Sequence, residues 1–182
     1  MSTFSVNTIE TFIKEKLQGG LWHTTNPERL ETILKDGFIK VEPNLLDSDR
    51  WGTARGPAYY PFVRYIGGVS LFEFPPDFDV AAYEKEIPTA SLGQFIPFRP
   101  SWGRAVWLKV DRAALDHRFL SGKEVRQRWN ESQAYRHKFI AELEAAYLGD
   151  LSMRAISKAF LVEGGKQDWS EIDLRDAPRI LA

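Results

Sequence analysis

Cysteine is missing from this chain, histidine occurs only three times, and no apolar run approaches the roughly 20 residues that cross a bilayer. The first absence excludes disulfide staples and thiolate metal sites, and it fits a reducing compartment. The second leaves few metal ligands. His23, His117 and His137 share no His-x-x-x-His or other ligand spacing, so a zinc hydrolase is excluded. The third, together with an N-terminus that has no basic-then-apolar leader pattern, predicts a soluble cytoplasmic protein with no membrane partner. An excess of either charge is lacking as well: 24 Lys and Arg face 25 Asp and Glu, so a broad polyanion-binding surface is not indicated. Neither Gly-x-Gly-x-x-Gly nor a Walker-type loop occurs, so a dinucleotide, if bound, is not held by those loops.

What is present is enough chain for one domain over residues 1–182, with a core and room for a pocket. Six Trp, six Tyr and twelve Phe supply either core packing or the walls of a pocket for flat rings. Val6, Ile9, Phe12, Ile13 and Leu17 recur at helical spacing, with Asn7 and Glu10 as a capping-box-like start and Gly19-Gly20 as a stop. Phe38 to Val41 reads as a short strand. Glu42 to Pro61 is long and polar for a connection, and its Arg50, Trp51 and Arg55 offer charge and stacking surface. It reads either as a loop folding over a cleft or as a cover for core. Val69 to Phe74 reads as a strand after the Gly67-Gly68 turn. Val80 to Glu86 reads as a helix in an otherwise irregular stretch, and Arg104 to Val110 alternates as a strand. Asp111 is placed to cap a short turn through Leu115. Phe119 to Ile140 is helical in pattern and carries Lys123, Arg126, Arg128, Arg136, His137 and Lys138. That cluster is either a solvated face or, for a nucleic-acid substrate, the place for phosphate contacts.

The stretch with chemical character is Leu21-Trp22-His23-Thr24-Thr25-Asn26-Pro27, followed by a two-turn apolar-striped segment to Gly37. Asn26 can cap a helix, Pro27 suits its first position, and Gly37 suits a left-handed stop, so the unit reads strand, turn, helix. It puts His23 and two threonine hydroxyls at a strand end. By itself a lone histidine there is more often structural than catalytic.

This aromatic-His-Thr strand and the helix ending in Ile33-Leu34-Lys35-Asp36-Gly37 resemble the opening motif of ADP-ribosyltransferases, nearest to the His-Tyr-Glu and DarT-like branch. Gly68-Val69-Ser70-Leu71-Phe72 is similar to that family's second motif strand. Glu142-Leu143-Glu144, followed by Gly149-Asp150-Leu151 and the strand pattern Ile156 to Val162, is similar to its glutamate motif. The resemblance implies an α+β fold with two small antiparallel sheets around a central NAD cleft and flanking helices. It implies a mono-ADP-ribosyltransferase that moves ADP-ribose from NAD to a macromolecular acceptor, protein or nucleic acid, as a toxin or phage–host conflict effector. An antitoxin or inhibitor partner would fit that setting. By the same resemblance Glu144 is the catalytic carboxylate, with Glu142 as the upstream member of the pair. His23, Thr24, Thr25, Tyr60, Tyr65 and Ser70 belong to the NAD site: His23 on ribose, tyrosines from among Tyr59, Tyr60 and Tyr65 on the nicotinamide ring, with spacing favouring Tyr60 and Tyr65, and Ser70 orienting Glu144. Read from propensity alone, Glu142 and Glu144 could instead sit exposed on a helix. The alternative functions are an NAD glycohydrolase of the same fold and a non-catalytic binding or inhibitor module.

Overall fold

The computed structural model describes residues 6–87, 92–164 and 169–175. Helix α1 (Val6–Phe12) widens into a π-helical turn (Ile13–Leu17) and leads to strand β1 (Leu21–Thr25), helix α2 (Pro27–Asp36) and strand β2 (Phe38–Ile39). The one-turn helix α3 (Phe62–Tyr65), strand β3 (Gly68–Glu73), helix α4 (Val80–Glu86) and strand β4 (Arg104–Val110) follow. Then come β5 (Phe119–Leu120), α5 (Gly122–Glu131), β6 (Glu144–Leu148), β7 (Leu151–Ser152), β8 (Ile156–Glu163) and β9 (Trp169–Ile172). Among the described residues no helix is long and apolar enough to cross a membrane.

The fold is mixed α+β. Seven strands form one antiparallel sheet in the order β5-β6-β3-β1-β4-β8-β9, and β2 pairs with β7 in a small second sheet. The strands are therefore not divided between two small sheets, as the resemblance implies: one sheet is large and the other has two strands. The large sheet nevertheless comes close to parting at its centre. Strands β1 and β3 pair only at Leu21–Glu73 and Trp22–Phe72, whereas β1 stays paired with β4 through Thr25. Past Trp22 the His23 imidazole, not a backbone N–H, reaches the Ser70 carbonyl at 2.9 Å.

Apolar side chains cover both faces on either side of that gap. Phe12, Trp22, Phe72, Phe95 and Trp107 centre one cluster; Leu30, Leu71, Leu108, Ala145 and Leu161 centre another; Phe62, Val63 and Val125 join α3 to α5. Each fully buried side chain of this size contributes about 1.5–3 kcal/mol, so the flanking clusters hold the sheet while its centre carries polar groups.

Local chemistry explains the elements that position the gap. Asn26 caps α2 by accepting from the Glu28 N–H at 3.2 Å, Pro27 opens the helix, and Gly37 closes it at φ 72°. Asp111 accepts from the Ala113 N–H at 3.0 Å and caps the turn after β4.

Three expectations need adjustment. Helix α1 already runs from Val6, so Asn7 lies within it and not at its cap. Strand β2 stops at Ile39, short of Val41. The helical stretch expected over Phe119 to Ile140 is confined to α5. The capping box of Ser121 and Glu124 starts it after the short strand β5, and the left-handed Gln133 (φ 51°) prevents its continuation. Gly165, expected to help end β8, lies outside the described residues.

Candidate active site

Where β1 and β3 separate, a cleft of about 340 Å³ opens. Antiparallel partners share a face and side chains alternate, so the Trp22–Phe72 and Phe72–Glu144 pairings put Thr24, Ser70 and Glu144 on one side of the sheet. His23, Thr25 and Val69 belong to the other side, and all six line the cleft. It is thus a gap through the sheet's centre and not a hollow on its surface.

Glu144 opens β6 and is only 1% exposed. It is a strand residue in the interior, so the reading of an exposed helical glutamate does not describe it. The Ser70 hydroxyl donates to its Oε1 at 2.5 Å, and the Ile140 N–H donates to its Oε2 at 2.8 Å. Burial pushes its pKa up, opposed by Ser70, by Ile140 and by the positive charge of Arg99. Because the Ser70 carbonyl can only accept, His23 carries its proton on Nδ1, leaving Nε2 as an acceptor. Burial lowers the His23 pKa to about 4, with Arg99 and Arg29 adding to the effect and the Ser70 bond opposing it. The ring is neutral at pH 7 and suited to accepting a hydroxyl proton.

That shift has a consequence for stability. His23 binds a proton less readily when folded than when unfolded, so the native state loses stability as pH falls from about 6.5 towards 4. Glu144, whose folded pKa is raised, acts in the opposite sense above 4.5 and offsets part of the loss. His23→Asn, which removes the titrating ring, is expected to flatten the pH dependence of the unfolding free energy from urea titrations between pH 6.5 and 4 by about 3 kcal/mol.

Two arginines complete the cleft. Arg99, in the irregular stretch before β4, lies 4.5 Å from the Trp102 ring and 5.1 Å from the Trp51 ring. Its Nε is buried with no hydrogen-bond partner, and so is the Oγ1 of Thr24. Burial first, and Arg29 second, bring the Arg99 pKa down to about 10, with Glu144 opposing. Arg29, in the first turn of α2, donates to the Asp49 carbonyl and is likewise lowered by burial. A buried donor left unpaired costs about 1–3 kcal/mol; Thr24 and Arg99 both line the cleft, and the positive charge of Arg99 and Arg29 there favours an anionic ligand.

Residues 42–61 form one wall of the cleft through Pro43, Leu45, Arg50 and Trp51. Arg64 of α3 ties the segment down, reaching Glu42 and Asp47 at 3.0 Å each, and Arg50 reaches Glu42 at 2.5 Å. The two tyrosines expected on the nicotinamide ring are not part of the lining. Tyr60 donates its hydroxyl to Asp47, and its ring lies 3.7 Å from the Arg64 guanidinium. Tyr65 is 57% exposed and stacks on His137 at 3.9 Å. The cause is α3: Phe62 and Val63 take the inward side of its single turn and are fully buried, which turns Tyr65 outward. The rings that do line the cleft are Phe38, Trp51, Phe72 and Trp102. Glu142 is not in the cleft either; it pairs with Arg126 of α5.

The structure therefore brings His23, Thr24, Thr25, Ser70 and Glu144 together, leaves Tyr60, Tyr65 and Glu142 outside, and adds Arg29, Arg99, Trp51 and Trp102. A signal for Arg99 does exist in the sequence: it is the one cation within the aromatic and proline-rich run Phe95 to Trp102. Among the described residues no cluster of His, Asp or Glu is arranged to hold a metal ion. No protein-family model matches this chain, and no curated protein matches its sequence.

Proposed function

We propose that this protein has an ADP-ribosyltransferase-like fold and cleaves the nicotinamide–ribose bond of NAD, passing ADP-ribose to a macromolecular acceptor. The observation that carries the reading is the bond from Ser70 to a buried Glu144, 74 positions along the chain, in a cleft shared with a neutral His23. Loss of nicotinamide leaves an oxocarbenium-like ribose, as in glycoside hydrolysis. A carboxylate beside that carbon opposes the growing positive charge and accepts a hydrogen bond from a ribose hydroxyl. Glu144 has both oxygens fixed from behind by Ser70 and Ile140, which suits a group whose job is electrostatic and requires no movement. His23 Nε2 and the Thr24 hydroxyl would take the remaining ribose and amide groups. Arg29 and Arg99 would face the pyrophosphate, and Trp51, Trp102 or Phe72 supply flat surface for the rings.

The test is direct. Purified protein incubated with NAD is expected to release nicotinamide, and labelled NAD in a cell lysate is expected to give a labelled protein or nucleic-acid band. Nicotinamide release with no labelled band would assign a glycohydrolase. If there is neither release nor a thermal shift with NAD, the proposal is wrong and a binding module is the better reading.

A further inference from the structure

Glu142 is one of two described non-glycine residues with positive φ, at 65°, a strained conformation that persists only where neighbours enforce it. The neighbours are identifiable. Arg126 of α5 forms an ion pair with the Glu142 carboxylate. The α5 backbone lies so close that a Cβ at Gly122 would collide with the Glu142 carbonyl. The buried Tyr83 of α4 donates its hydroxyl to the Ala141 carbonyl at 2.7 Å. On the sheet side, the Leu143 carbonyl accepts from the Glu73 N–H at 2.8 Å.

The product of this enforced turn is a reciprocal pair of bonds. The Glu144 N–H donates to the Ile140 carbonyl at 2.8 Å, and the Ile140 N–H donates to Glu144 Oε2 at 2.8 Å. The charged and polar groups around that carboxylate are Ser70 from β3, Arg99 from the stretch before β4, Tyr83 from α4, and Glu142 with its partner Arg126. Of these, only Ser70 bonds Glu144 directly; the turn supplies the other donor.

We propose that the left-handed turn at Glu142, clamped by Arg126 and Tyr83, aims the Glu144 carboxylate, and that Arg126, Glu142 and Tyr83 are positioning residues for it. In this arrangement Glu142 does not meet the acceptor; its charge is engaged with Arg126, outside the cleft. The kinetic side of the inference rests on the NAD-cleavage reading, whereas the structural side does not.

Two readouts separate them: the carboxyl titration of Glu144 by carbon-13 NMR, its signal assigned through Glu144→Gln, and nicotinamide release across pH. Arg126→Ala is expected to raise the Glu144 midpoint by about one pH unit, the worth of roughly one hydrogen bond to a charged group. It should also lower kcat about tenfold at neutral pH, with KM for NAD changed less than about twofold. Arg126→Lys should restore both. Glu142→Gly added to Arg126→Ala should restore them too, because glycine takes the left-handed conformation without a clamp. Tyr83→Phe is expected to act in the same direction as Arg126→Ala, and Arg126→Gln replaces Arg126→Ala if that variant does not fold. A Glu144 midpoint unmoved by loss of Arg126 overturns the proposal whatever happens to activity. Loss of transfer in Glu142→Gln with nicotinamide release and the midpoint intact overturns it as well. If the wild-type protein does not cleave NAD, that reading fails, and the titration alone still decides whether the clamp aims Glu144.

Discussion

Glu144→Gln is expected to reduce nicotinamide release from NAD by about 100- to 1000-fold while leaving the protein folded. Removal of one group aimed at developing charge in a dry site costs that much in other enzymes. The amide keeps the side chain's shape, and its oxygen can accept the bond that Ser70 donates, but it carries no charge to answer the ribosyl cation. The amide also cannot satisfy both present donors. One of its ends is an NH2 group, which would face the Ile140 N–H or the Ser70 hydroxyl donor-to-donor unless the latter rotates. Against this, the buried carboxylate is held at a desolvation cost that a neutral amide escapes. The two effects oppose each other, so the melting temperature is expected to change little. A loss of activity accompanied by a large fall in melting temperature would instead describe a scaffold residue. Measured together, release rate and thermal midpoint distinguish the roles.

The strand, turn and helix around His23 were legible because capping chemistry is local. Asn26, Pro27 and Gly37 dictate their own stretch of backbone, whatever packs against it. Strands β3 and β4 were legible by alternation for the same reason, whereas β8, an apolar run, was placed only by the resemblance. The outward turn of Tyr65 was not, since it depends on Phe62 and Val63 winning the inward side against β3 and α5, a contest between distant parts of the chain. Glu142 lies outside the cleft in a left-handed conformation, and nothing in Glu-Leu-Glu announces that conformation. That conformation is imposed by Arg126, Gly122 and Tyr83 from other elements. Arg99 shows the converse. A cation amid Phe95, Phe98 and Trp102 is anomalous in sequence, but its relevance appears only when the fold brings it beside Arg29 and over Trp51. Contacts within a few residues were readable from local chemistry, the Ser70–Glu144 bond across 74 positions was reached only through the family resemblance, and the places of Tyr65, Glu142 and Arg99 were reached by neither.

Arg99→Met is expected to raise KM for NAD by about 10- to 100-fold and to change kcat far less. Methionine keeps much of the apolar stem between Trp51 and Trp102, so the comparison isolates the guanidinium from its packing. A charge-assisted hydrogen bond to phosphate is worth about 1.5–3 kcal/mol, which converts to the stated range. The pyrophosphate lies away from the bond that breaks, and its contacts are the same before and during that break. Binding of that kind appears in KM and leaves kcat alone. The free protein should respond in the reverse sense. Burial and the Arg29 charge depress the protonation of Arg99, and the Arg99 Nε has no partner, so Arg99→Met should leave the unliganded protein as stable as wild type or more so. That opposition is the discriminating feature. A structural arginine loses stability when replaced and affects ligand only indirectly, whereas an arginine held ready for an anion is costly until the anion arrives. Added inorganic pyrophosphate should therefore raise the wild-type melting temperature and leave that of Arg99→Met almost unchanged. An equal rise in both proteins would remove Arg99 from the binding site.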